Sequence, residues 1–405
     1  MTPPHGHNKV VVILSAAKNP RISLSSWVQA RVRGNVTALP WMPHPSPQLN
    51  RCDGWKSTPL KRTSSRPKPR SGEVERSLYS ALNRCHPSAD RREDLLFKPG
   101  IIAALLLALL LPAHAASAQK ATAFNGQAAY NLTHEFLAVA PKRWVGSPGH
   151  TKAEAFIKEH FKPEIAKGNF ETDSFSASTP VGLLDMRNYI VKYPGKKDGI
   201  IVLATHYETN YWLKDVNFVG ANDGAATTAL LIEIGNYLRT HPPQGYSVWL
   251  VFDDGEESIK SVWSNSDALY GTRHLAAKWS QDGTLKKIKA FLLADMVGDK
   301  DLNIDFDEES TPWLRDMLKV AAKNTGHSAY IYKNNVPGLQ DDHIPFKQRG
   351  VPVLDIIDLD YGPRTVSLPD GYHHTVYDTI DKVSAHSLQI AGDLFLEMIR
   401  LINQR

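Results

Sequence analysis

The sequence predicts an α/β fold for residues 121–405, a three-layer α/β/α sandwich around a mixed, mostly parallel sheet. Three observations point to it. Short apolar runs alternate with helix-length amphipathic segments. The runs are apolar on nearly every residue, as strands covered on both faces by helices are. Polar residues gather just after the runs rather than inside them.

The elements follow in order. Residues 125–139 place Ala129, Leu132, Phe136 and Val139 at helical spacing. Gly146-Ser147-Pro148-Gly149 is a turn, and a helix is expected over 151–161 with Thr151 as its N-cap and Glu154 three residues on. Strands are expected over 188–193, 199–206, 246–252, 288–296 and 352–357, and helices over 224–240, 267–280, 311–325 and 384–402. No internal repeat and no long linker divides this stretch, and about 285 residues suffice for one large core.

Residues 1–98 are of another kind. They hold 17 Lys and Arg against 6 Asp and Glu, whereas the remainder holds 30 against 36. The net charge of +5 over the whole chain therefore belongs to the N-terminal segment and is no sign of nucleic-acid binding by the folded part. Residues 1–96 are rich in Pro, Ser and Arg without sustained periodicity, and are expected to be a disordered or spurious extension. Lys98, the apolar run 101–111 and the small-residue stretch ending at Ala118 read as a signal peptide over 97–118. The run is too short for a spanning helix, which needs about 20 residues. The expectation is a periplasmic or secreted domain with no stable membrane anchor.

Both cysteines, Cys52 and Cys85, precede this segment. The exported part has neither a disulfide framework nor a thiol nucleophile, and a zinc ion there needs His, Asp and Glu. Five stretches supply such residues after strands or at helix starts: Thr205-His206-Tyr207-Glu208, Gly220-Ala221-Asn222-Asp223-Gly224-Ala225, Asp254-Gly255-Glu256-Glu257, Leu293-Ala294-Asp295-Met296-Val297-Gly298 and His373-His374-Thr375. Singly, each has an ordinary explanation. Asp223 could cap a helix, the glutamates could be a solvated face, and the histidines could be a surface pair. Together they would crowd acidic groups beyond the carboxyl ends of strands, where open α/β sheets bind ligands, and a cation would relieve the repulsion.

The order H-x-E, G-x-x-D-x-A, D-G-E-E, D-M-x-G and a late His resembles the zinc-dependent aminopeptidase superfamily of the bacterial leucyl aminopeptidase type. Three longer stretches resemble the glutaminyl-peptide cyclotransferases (glutaminyl cyclases) within it. These are Asp254 through Trp263 to Asp267-Ala268-Leu269-Tyr270-Gly271-Thr272-Arg273-His274-Leu275-Ala276, then Gln340-Asp341-Asp342-His343-Ile344-Pro345-Phe346, then Arg349-Gly350-Val351-Pro352-Val353-Leu354. The resemblance implies a zinc-aminopeptidase-like fold. It implies one zinc ion on Asp223, Glu257 and His374, with Glu256 as acid/base. It also implies an acidic pair of Asp295 and Asp341, and substrate contacts from Trp263, Gln340 and His373. His373 stands where a tryptophan is usual, Asp253 where an aromatic residue is usual, and Glu208 where an aspartate is usual.

The reaction so implied closes an N-terminal glutamine of a peptide or protein into pyroglutamate and releases ammonia. The alternative is an aminopeptidase with two zinc ions, the second on His206 and Asp295 with Asp223 bridging. A non-catalytic peptide-binding domain is the third reading. Intact Asp223, Glu256, Glu257, Asp295 and His374 speak against it.

Overall fold

The computed structural model describes residues 124–405. The extension and the export signal expected from the sequence lie outside the described residues. The chain runs α1 (Gly126–Val139), α2 (Pro148–His160), α3 (Lys162–Ala166), β1 (Phe170–Thr179), β2 (Gly182–Tyr193), β3 (Lys197–His206), α4 (Thr227–Thr240), β4 (Tyr246–Asp253), α5 (Tyr270–Gln281) and β5 (Ile288–Asp295). It continues through β6 (Ile304–Asp307), α6 (Pro312–Thr325), β7 (Ile331–Val336), α7 (Ile344–Lys347), β8 (Val353–Ile357) and α8 (Ala385–Ile402).

Six strands form one sheet in the order β1-β2-β4-β3-β5-β8, and β6 pairs with β7 separately. The sheet is mixed: β3 runs parallel to β4 and β5, and β8 parallel to β5, while β2 is antiparallel to both neighbours. Consecutive residues of the central strands enter two different cores. Ile201 and Leu203 of β3 join one with Leu292 and Ala294 of β5, which α1, α4, α6 and α8 complete. Ile200, Val202 and Ala204 join the other with Phe291 and Leu293, beneath Leu275 and Trp279 of α5 and Phe346 of α7. This split between faces explains why these strands are apolar throughout.

The sequence signals marked the second half of β2, at 188–193, but missed β1, its hairpin with β2 and the small β6–β7 sheet. β1 reads Phe-Glu-Thr-Asp-Ser-Phe-Ser-Ala-Ser-Thr and buries only Asp173 and Ala177. An edge strand paired on one flank needs no apolar run. Helix α2 starts ahead of Thr151, at Pro148. Ser147 caps it, accepting from the His150 N–H at 2.9 Å. Glu154 faces inward and takes Arg187 at 2.9 Å rather than closing a capping box.

From β3 the chain passes to β4 on one side, then crosses back to β5 on the other. The carboxyl end of β3 is thus the point where strand order reverses, and a crevice opens there. His206, Asp253 and Asp295 are the last residues of β3, β4 and β5, so the crevice floor is acidic from the outset.

After β8, Asp358 starts the long loop that delivers His373 and His374. Its two carboxylate oxygens accept from the backbone N–H groups of Asn303, at 2.7 Å, and Asp360, at 3.1 Å. Burial pushes its carboxyl up to about 8, against the pull of those donors. An acid raised in the folded state binds more protons folded than unfolded, so it contributes stability below its unfolded pKa and loses it as pH rises to the folded value. Stability of the wild type should therefore decline between about pH 4 and 8 more than that of Asp358→Asn. Urea titrations at a series of pH values check this; equal slopes for the two proteins contradict it.

Candidate metal centre and active site

Asp223 sits on an interrupted turn. The segment Ala221–Ala226 winds as a wide helical turn before α4, but Asp223 (φ −83°, ψ 93°) and Gly224 (φ 84°, ψ −34°) leave helical geometry. Gly220 has φ +52°, and a Cβ there would stand 2.5 Å from the Asp223 carbonyl oxygen. A Cβ on Gly224 would stand 2.8 Å from the His206 ring. Glycine at both positions lets the backbone turn tightly enough to push the Asp223 carboxylate up into the crevice.

Two groups absent from the sequence reading hold this turn. Arg143, just after α1, is fully buried and donates only to carbonyls: Tyr207 O at 2.7 Å, Val219 O at 2.5 Å, Gly220 O at 2.7 Å and Asp223 O at 2.9 Å. Burial pushes its guanidinium down to about 10, with Asp223 the strongest opposing influence. From above, Asp378 accepts the N–H groups of Asn222 at 2.8 Å and Asp223 at 3.2 Å, and Tyr361 donates to it at 2.6 Å. A lone arginine before a turn motif and an aspartate late in a loop carry no local sequence signature, which is why both went unread.

The other candidates converge on the same place. His374 Nε2 lies 3.4 Å from Asp223 Oδ2 and 3.0 Å from Glu257 Oε1. Donors on one tetrahedral zinc at ordinary bond lengths are spaced by about 3.3 Å, so each of these two spacings suits a shared ion, while Glu257 stands outside the group of mutually close donor atoms that Asp223 and His374 form with His373. Asp223 Oδ2 is buried and without a hydrogen-bond partner, as an atom reserved for a cation would be. His374 adopts φ +54°, a strained conformation for histidine that turns its ring inward. His373 stacks on it with ring centroids 3.7 Å apart, and Asp223, His373 and His374 offer donor atoms that all fall within 4.8 Å of one another. The residues present fit a zinc ion.

His206 points at the other side of Asp223. Its Nε2 lies 3.2 Å from Asp223 Oδ1 and 3.5 Å from Asp295 Oδ1. Burial disfavours its charged form, but the contacts to Asp223 and Asp295 outweigh burial and raise its pKa. Burial likewise works against the Asp223 carboxylate, yet His206 and His374 hold it below the ordinary range. Glu257 is pushed up by burial and then by Asp223.

Glu256, beside Glu257, lines the same cavity but does not face His374. No side-chain hydrogen bond or ion pair among the described residues restrains it. Burial, then Glu257 and Asp341, raise its pKa well above that of a free glutamate. Asp341 is raised by burial and then by Asp295, and both acids line the same cavity. Asp355 of β8, which the sequence reading did not single out, is raised by burial and then by Asp341, and neither of its carboxylate oxygens has a hydrogen-bond partner. Like charges buried near one another disfavour the ionised form, which is the direction both Asp341 and Asp355 take.

Above these residues lies a cavity of about 350 Å³ lined by Asp223, Glu256, Glu257, Trp263, Asp295, Gln340, Asp341, His373 and His374, among others. It is of a size to take one or two residues of a peptide. Gln340 lines the cavity and folds its amide back onto the Leu339 carbonyl at 3.1 Å. Every candidate residue read from the sequence, His206 apart, lines this one cavity, and His206 touches Asp223 and Asp295 just beneath it.

A sandwich of this topology with a His–carboxylate cluster at the switch point defines a metallopeptidase-like protein, and comparison with known proteins agrees. The family profile described as Peptidase family M28 matches residues 188–399. The crystal structure of a glutaminyl cyclase from an Acidobacteriales bacterium is similar at 80% identity and TM-score 0.69, over 70% of this chain and 96% of that one. A glutaminyl-peptide cyclotransferase-like protein of Bos taurus is 31% identical over 53% of this chain, which spans 62% of the bovine protein's length. The structure of a Zn-dependent exopeptidase from Parabacteroides distasonis shares the fold at 21% identity and TM-score 0.59, over 70% of this chain and 99% of that one. The chain belongs to peptidase family M28, and within it to the glutaminyl cyclases.

Replacing Arg143 by Met would strand four buried carbonyls and free the turn that carries Asp223. A buried acceptor left without its donor costs about 1–3 kcal/mol, so Arg143→Met should unfold at clearly lower urea concentration than the wild type. A midpoint unchanged from wild type would show that the guanidinium does not hold the turn.

Proposed function

We propose that the chain converts the N-terminal glutaminyl residue of peptides into pyroglutamate and ammonia. Asp223, Glu257 and His374 would hold one zinc ion. Bound there, zinc supplies a Lewis acid that polarises the side-chain carboxamide of the substrate.

The chain's own residues supply the rest. The bond formed joins the α-nitrogen to the side-chain carbonyl carbon, and the bond broken releases the amide nitrogen. Glu256 takes the proton that the α-amine sheds and delivers it to the departing nitrogen. Its raised pKa suits both halves of that transfer, because a glutamate poised nearer neutrality gives up a proton as readily as it takes one. Asp295 and Asp341 accept hydrogen bonds from the amine or the leaving ammonia. Trp263, His373 and the backbone of Gln340 bound the pocket so that the glutaminyl side chain must curl back on its own amine. Enforced proximity of that kind can lower a barrier by up to about 7–11 kcal/mol.

The observation that carries this reading is the division of labour between adjacent glutamates. Glu257 faces His374 at 3.0 Å. Glu256 faces the cavity with no partner of its own. Glu256→Gln should therefore keep zinc and the fold while turnover falls by about 10²–10⁴. Zinc content by atomic spectroscopy and ammonia release from a Gln-initiated peptide read the two effects; near-normal turnover in the variant removes Glu256 from the role.

One observation supports a second reading. His206, Asp223 and Asp295 offer donor atoms within 4.8 Å of one another, which suits a second cation and hence an aminopeptidase. Metal counting on the purified wild type separates the two: one zinc per chain accords with cyclisation, two with hydrolysis. The cyclase should release ammonia from a Gln-initiated peptide and leave a Leu-initiated one intact.

The stretch 97–118 supports export, with the catalytic part starting near residue 121 and residues 1–96 an extension ahead of the signal. Among the described residues no helix is long and apolar enough to cross a membrane. N-terminal sequencing of the protein from its native host should begin within a few residues of Gln119; a start at Met1 would contradict the export reading.

A further inference from the structure

The loop leaving β3 grips Glu257 twice. Glu208 accepts the Glu257 backbone N–H at 3.1 Å. Two residues later, Asn210, only 1% exposed, donates through Nδ2 to Glu257 Oε2. The same Nδ2 lies 3.1 Å from His374 Nε2, the nitrogen that stands 3.0 Å from the other Glu257 oxygen, Oε1. The Asn210 backbone is anchored in turn, its carbonyl accepting the Leu213 N–H at 3.3 Å.

Asn210 Oδ1 is buried and has no partner. No other hydrogen bond therefore dictates how the amide is turned. What sets it is the Glu257 carboxylate oxygen in front of it, which calls for a donor; the His374 nitrogen nearby is the one that would face the ion. A free glutamate beside a cation can bind through one oxygen or through both. An N–H on Oε2 favours the first mode and leaves Oε1 directed toward His374. A neutral amide does this without cancelling the negative charge that attracts the ion, as a lysine or arginine in its place would.

We propose that Asn210 is a positioning residue for the metal centre: it ties down Oε2 of Glu257 so that Oε1 alone meets the ion with His374 and Asp223. The proposal rests on the ligand assignment made above. Partners behind a metal ligand are typically worth 10–100-fold in metal affinity.

The test uses the full mature chain, depleted of metal. Zinc affinity is measured by chelator competition for wild type, Asn210→Leu, Asn210→Ala and Glu257→Gln, with thermal melting of each metal-free protein. Leucine keeps the branching and number of heavy atoms of asparagine and removes the donor; alanine serves should the bulkier leucine variant fail to fold. Both Asn210 variants are expected to bind zinc about 10–100-fold more weakly at unchanged metal-free Tm. Their cobalt(II) forms are expected to lose visible d–d absorbance as Glu257 turns bidentate and coordination rises above four, a change that mere loosening of the loop does not produce. Folded Asn210 variants with wild-type zinc affinity and an unchanged cobalt spectrum overturn the proposal. Wild-type affinity in Glu257→Gln overturns the ligand assignment itself, and the proposal with it.

Discussion

The arrangement depends on a guanidinium that touches no carboxylate. Arg143 donates four hydrogen bonds to main-chain carbonyls and thereby ties the exit of β3 to the turn bearing Asp223. Its positive charge lies beneath a floor where Asp223, Glu208 and Glu257 are all buried. Carbonyl oxygens take up its hydrogen-bonding capacity, so its charge acts on the carboxylates through space. The acids stay free for what enters from above. An ion pair in its place would have consumed one of the ligands.

The same economy recurs around the site. Asp378 binds the backbone of the Asp223 turn with its oxygens rather than the cavity. Asp254 binds His150 at 2.8 Å and the Arg187 N–H at 2.8 Å, which pins the start of the loop that carries Glu256 and Glu257. Acidic residues thus divide into those whose lone pairs are spent on the scaffold and those left unspent. Asp223 Oδ2 and Asp295 Oδ1 belong to the second group. Near neighbours in sequence, such as Asp254 and Glu256, fall on opposite sides of that division because the loop turns between them at Gly255, φ +78°.

The strands that matter most were the most legible. β3, β4, β5 and β8 are buried on both faces and therefore apolar on almost every residue. Where only one face or one flank is buried, as in β1 and β7, the pattern dissolves into polar residues and turns. The short motifs at strand ends were legible for a related reason. His206, Asp295 and the two glutamates must follow a strand directly to reach the crevice, and that adjacency is written along the chain. Their family resemblance then assigned roles that spacing alone left open.

By itself the sequence determined the fold class, the absence of cysteine from residues 121–405, and which His, Asp and Glu residues could meet a cation. Composition and local period carry that information, because burial on two faces and the needs of zinc each demand particular residue types. Only the tertiary structure decided which oxygen of each acid is free, and that Arg143, Asn210, Asp355 and Asp378 belong to the site. Arg143 reaches Asp223 across 80 residues and Asn210 reaches His374 across 164. Contacts at such separations leave no periodic trace in the chain, since folding brings the partners together through elements that lie between them.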